Sequence, residues 1–197
     1  RVRAGVKLEV QGFSDPITGL LLSVPDSGLP RLNGIHMKRG RHVEPYRSDE
    51  VVLSDTFAEA HRLEPGDKIA AIINGKRKAL TVVGVAVSPE YVYQIAPGAM
   101  FPDFKRYGVL WMGRNALGAA YDMTGAFNNV TLTLQRSAHV QEVIDRVDGI
   151  LAPYGGTGAY PRKDQFSNRF LSEELKQLQT TATIFPAASA LISLKTF

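Results

Sequence analysis

Alternation opens the chain. In "VRAGVKLEV", Val6, Leu8 and Val10 share one side while Lys7 and Glu9 take the other, the period of a half-buried strand. A second apolar run, "GLLLSV" (Gly19–Val24), ends at the turn residues "PDSGLP", and a loop rich in Arg, Gly and Pro follows up to Arg47. The period changes in "VVLSDTFAEAHRLEPGDKI". Ser54 or Thr56 can cap a helix, Thr56 and Glu59 stand at capping-box spacing, and Phe57, Ala60 and Leu63 form a short apolar stripe. Pro65-Gly66-Asp67 then stops the helix, because proline presets a turn, glycine accepts positive φ and aspartate bonds the local backbone. "KIAAII" and "KALTVVGVAV" follow, and Asn74-Gly75 between two β-rich runs predicts a hairpin.

The centre, Ser88 to Gly125, loses periodicity and gains aromatics and glycine, so irregular strands and loops are expected there. Order returns at "NNVTLTLQ" (Asn128–Gln135), where Val130, Leu132 and Leu134 alternate with Thr131 and Thr133 as in a strand. Val140, Val143, Ile144, Val147 and Leu151 then lie on one helical face, which Pro153, Gly155 and Gly156 terminate. A strand, a helix and the extended "TGAYP" make a βαβ-like half-unit. In "FSNRFLSEELKQLQ", Phe170, Leu171, Leu175 and Leu178 form a stripe opposite Glu and Lys, and the chain then carries no charge from Thr180 through Leu194.

Composition narrows the class. A chain of 197 residues with 44% hydrophobic and 21% charged residues is globular, long enough for a core without covalent staples. The formal charge is +4, but its basic clusters, "HMKRGRH" (His36–His42) and "NGKRK" (Asn74–Lys78), are short and flank glycines, which suits solvated turns and not a nucleic-acid face. Without cysteine there is no disulfide framework, thiol nucleophile or Cys-based zinc site. No apolar h-region of a signal peptide opens the chain, and no uninterrupted apolar run reaches 18 residues, so no complete transmembrane helix is expected.

Candidate chemistry is sparse. His36, His42, His61 and His139 make no i, i+4 pair or HExxH arrangement, so no metal is expected, and no cofactor. Nucleophile elbow, Walker loop and GxGxxG after a strand are absent, and "YGGTGAY" follows a helix where a phosphate cradle must precede one. Asp145/Asp148 and Glu173/Glu174 sit opposite apolar stripes and read as solvated faces. What remains is aromatic. Tyr91, Tyr93, Phe101 and Trp111 are the candidate contact residues for a partner or substrate. An alternative is a small-molecule pocket, in a soluble binding domain or enzyme, around Tyr91, Tyr93, Arg106 and Trp111.

Four features in order carry a family resemblance: "VVLSDTFAEAHRLEPGDKI", the hairpin ending "TVVGVAVSPEYVY", "NNVTLTLQRSAHVQEVIDRVDGILAPYGG", and "RKDQFSNRFLSEELKQLQ" running into an apolar segment. The chain, from about Arg3 to Leu194, resembles the periplasmic core domain of FtsX/MacB-type ABC transporter permeases. The resemblance implies an α+β fold, with a βαβ-type, porter-like lobe carrying an inserted β-rich lobe. Residues 1–50 and 128–181 would form the membrane-proximal α/β lobe, 51–127 the inserted lobe, and 182–197 the start of a second transmembrane helix. It implies no catalysis in this domain. ATP would be hydrolysed by a cytoplasmic ABC ATPase, separate or fused. A periplasmic or outer-membrane partner protein, or lipid, lipoprotein or peptide cargo, would be met outside the cytoplasmic membrane.

Overall fold

The Asn74-Gly75 turn organises the sheet. In the computed structural model both residues adopt positive φ (48° and 76°), the turn that matches the twist of two antiparallel strands. It joins β5 (Lys68–Ile73) to β6 (Lys76–Val87) with Ile73 opposite Lys76. The structure describes the backbone of residues 1–193 and the side chains of residues 1–182.

Around this hairpin stand β1 (Arg3–Glu9), β2 (Ile17–Val24), β3 (His36–Gly40), β4 (Glu50–Ser54) and β7 (Tyr107–Gly113) in the order β3-β6-β4-β7-β2-β1-β5. Because β5 also pairs with β6, the circuit β6-β4-β7-β2-β1-β5 closes into a six-stranded barrel. Closure is possible because β6 is 12 residues long. Its first half pairs with β5, and its second half pairs with β4 and with β3, which lies outside the circuit. The β2–β7 and β4–β6 pairs are parallel; the others are antiparallel. Gly84 is the tight point. A Cβ there would lie 2.4 Å from the Arg41 carbonyl oxygen and 2.3 Å from Met37 Cε, so β3 crosses β6 only over a glycine.

Inward-facing Val6, Leu8, Leu21, Leu53, Leu80 and Leu110 fill the barrel, as small barrels require. Two helices join the same core. Phe57 of α1 (Asp55–His61) lies against Gly108 at the start of β7. Leu117 of α2 (Arg114–Ala120) follows the end of that strand. Ser54 is the N-cap of α1, while Thr56 lies inside the helix with its hydroxyl buried and unpartnered, so the capping-box spacing at Thr56 is not used.

Compact units divide the chain as Arg1–Thr133 and Leu134–Phe197, and this corrects the expected lobes. β1, β2 and β3 are hydrogen-bonded into the same sheet as the strands of 51–127: the N-terminal hairpin pairs with β7 on one side and β5 on the other, and β3 pairs with β6. The fold is α+β with its barrel built from both stretches. Three local expectations also change. The loop up to Arg47 contains β3, an exposed strand whose Lys38 pairs with Asp55 at 2.6 Å, and the central region contains α2. Residues 128–135 form no paired strand: Val130, Leu132 and Leu134 are exposed. Their alternation is that of a strand, but no described neighbour offers an edge beyond Asn128 and Asn129, whose N–H groups donate to the Arg1 carbonyl.

The second unit contains α3 (Val140–Leu151) and α4 (Phe166–Ser193). Asp148 accepts the Ala159 N–H at 2.6 Å, which folds "TGAYP" back toward α3. The anticipated face of α3 is present, yet none of its residues is buried. α4 runs as one helix from the charged segment into the uncharged one. The expected burial state of Ile184 to Leu194 lies outside the described side chains.

Candidate functional site

One face of the barrel collects the aromatic residues. Strands β2, β7, β4 and β6 turn Leu22, Val52, Val83, Tyr107, Val109 and Trp111 outward into a second buried cluster. Met37 of β3 and the loop residues Ile35, Tyr91 and Ala96 cover it. Trp111 is accordingly only 3% exposed. Tyr91 packs against the same cluster, and burial pushes its phenol well above the usual tyrosine value, with the Glu90 carboxylate adding to the effect.

The loop after β6 is fastened at its base. Buried Ser54 donates its hydroxyl to Gln94 Oε1 at 2.7 Å, and Gln94 Nε2 donates to the Tyr91 carbonyl at 3.4 Å. Glu90 accepts Arg1 Nη1 at 2.7 Å and also pairs with Nη2. At the far end, Arg106 pairs with Asp15 and, at 3.1 Å, with Asp103. Asp103 also takes the backbone N–H groups of Lys105 and Arg106. Burial raises its carboxyl, but together these donors outweigh it and hold the group below the usual carboxylate range. Between the two anchors the tip stands out, with Met100 79% and Phe101 75% exposed. Anchored bases with an apolar tip are what a binding loop needs, since little ordering is left to do on contact.

Of the four anticipated contact residues, then, Trp111 and Tyr91 belong to a core cluster, Tyr93 is half-buried and Phe101 alone is displayed. Arg106 is occupied by its two carboxylates. Of Tyr91, Tyr93, Arg106 and Trp111, Trp111 alone lines either of two surface clefts. One of these lies beside Glu9, Lys68 and Arg77 and is crossed by the Arg77–Glu9 pair at 2.8 Å. The other has a volume of about 480 Å³ and opens at the carboxyl ends of β2 and β7. Trp111 lines it, with Arg31, Arg114 and Phe127, none of which stood out in the sequence. The signal for them is topological: crevices form at the carboxyl ends of parallel strands, and the β2–β7 pairing joins segments about 90 residues apart.

Among the described residues no group of three His, Cys, Asp or Glu is placed to hold a metal, and no helix is long and apolar enough to cross a membrane.

No family model matches the chain, and no curated protein matches it. Among solved structures, the chain is similar to the extracellular domain of the ABC-type transporter YknZ from Gram-positive bacteria. Identity is 14%, the TM-score is 0.48, and the match covers 80% of this chain and 75% of that one. It is also similar to the periplasmic region of MacB from Actinobacillus actinomycetemcomitans. There the identity is 14% and the TM-score 0.43, over 78% of this chain and 64% of that one.

Proposed function

We propose that the chain is the extracytoplasmic domain of an ABC-type permease, a non-catalytic module on the periplasmic or extracellular face of a bacterial cytoplasmic membrane. The observation that carries this reading is α4: a single helix of 28 residues that begins amphipathic and continues into an uncharged stretch. A continuous helix is a stiff element that moves as a body, so displacement at its apolar end is carried along its length. In this reading residues 182–197 enter the membrane as the start of a transmembrane helix. A cytoplasmic ATPase, fused or separate, drives the motion, and the loop tip at Phe101 meets a partner protein or a lipid, lipoprotein or peptide cargo. The order of sequence segments that resembles FtsX/MacB-type permeases supports the same assignment.

Sidedness is directly measurable because the chain has no cysteine. In the full-length protein, with any cysteine outside these 197 residues replaced by serine, Leu29→Cys or Tyr46→Cys places a single thiol at an exposed position. A membrane-impermeant maleimide should label intact cells or, where an outer membrane is present, cells with only that membrane permeabilised. Labelling only after disruption of the cytoplasmic membrane would exclude the proposal.

A further inference from the structure

The cleft at the ends of β2 and β7 has a chemistry that the permease reading does not call for. Pro25, Pro30, Leu32, Trp111, Phe127 and Val130 give it apolar walls. Three arginines line it (Arg1, Arg31 and Arg114), and no acidic residue does. The Arg1 guanidinium is committed to Glu90 and to Asn129 Oδ1 at 2.7 Å, so it serves as part of the wall. Arg31 and Arg114 have no ion-pair partner among the described residues. Asp26, close to Arg114 in the fold, is turned to the backbone, accepting the Asn115 N–H at 3.2 and 3.1 Å.

Arg31 and Arg114 are exposed at the edge of this apolar wall, and arginine is suited to bind carboxylate or phosphate oxygens through paired donors. A cleft of about 480 Å³ is of small-molecule size. We infer that this cleft binds a small anionic amphiphile, with its carboxylate or phosphate head on Arg31 and Arg114 and its apolar body against Trp111 and Phe127. This inference rests on the cleft and stands independently of the permease assignment.

Trp111 is the single tryptophan of the chain and lines the cleft, so its fluorescence reports occupancy. The chain should be titrated with decyl phosphate and decanoate below their micelle concentrations, with inorganic phosphate and decanol as the half-ligands. The inference predicts a saturable emission change with the two amphiphiles, at least tenfold tighter than with either half-ligand. In Arg31→Gln/Arg114→Gln the affinity should fall at least tenfold with the melting temperature unchanged, and salt should weaken binding to the unmodified chain. If the double variant fails to fold, Phe127→Ser supplies the same reading, because its side chain is half exposed. No saturable change, equal affinity for decanol or for inorganic phosphate, or undiminished binding by the variants would overturn it.

Discussion

Glu50, at the start of β4, gathers donors from three residues. Its buried side chain accepts two bonds from Arg41, at 2.7 and 2.9 Å, and the Glu44 N–H at 2.9 Å, with Arg47 also within 3.5 Å. The hydrogen bonds from Arg41, more than any other influence, hold its carboxyl below the usual glutamate range. Its folded value is therefore lower than its unfolded one. The stabilisation is fully present above the unfolded value of about 4.3 and disappears as pH falls through the folded value. Glu50→Gln should cost about 2 kcal/mol at pH 7, and the gap from the unmodified chain should narrow below about pH 4. Thermal unfolding at pH 7 and pH 3.5 checks this, and a gap independent of pH would contradict it. Phe101, in contrast, touches little: Phe101→Ser should leave the melting temperature within about 1 °C while weakening any partner contact at the loop tip. Phe101 stood among the contact residues read from the sequence, whereas Glu50 did not stand out. Glu50 precedes a strand like many surface glutamates, and Phe101 differs from Trp111 only in what the fold puts around it.

Among the elements, those set by local chemistry were legible and those needing a distant partner were not. Asn74-Gly75 defines its hairpin through backbone conformation alone, and the apolar faces of β1 and α3 follow from period. β3 was hidden because its exposed residues are mostly polar, and what makes it a strand is the glycine it crosses. Residues 128–135 have the opposite problem, a strand-like pattern with no paired edge. Gly84→Ala should therefore lose about 1–3 kcal/mol in urea unfolding, since backbone as well as side chain must move. Phe57→Ala should cost about 3–5 kcal/mol, because it empties a fully buried site between α1 and β7. A loss under 1 kcal/mol in either variant would mean that the barrel yields at that point more easily than its packing implies.

At the scale of the molecule, α+β content and the aromatic centre could be read in advance, but barrel closure could not. It depends on the long β6 pairing with its hairpin partner β5 through one half and with the more distant β4 through the other. The division after Thr133 likewise follows from where β1 and β2 pair and not from composition. Limited trypsin treatment should cut first at Arg136, in the exposed stretch after that boundary, and leave the barrel fragment with a cooperative melt; early cuts inside the barrel would contradict the division. The central claim concerns what this unit is attached to, and purification of the full-length protein from native membranes in mild detergent tests it most directly. The account predicts that the protein fractionates with the membrane and carries ATP-binding-cassette ATPase activity, on its own chain or on a co-purifying subunit identified by mass spectrometry. Recovery of the full-length protein in the soluble fraction without such an ATPase would contradict it.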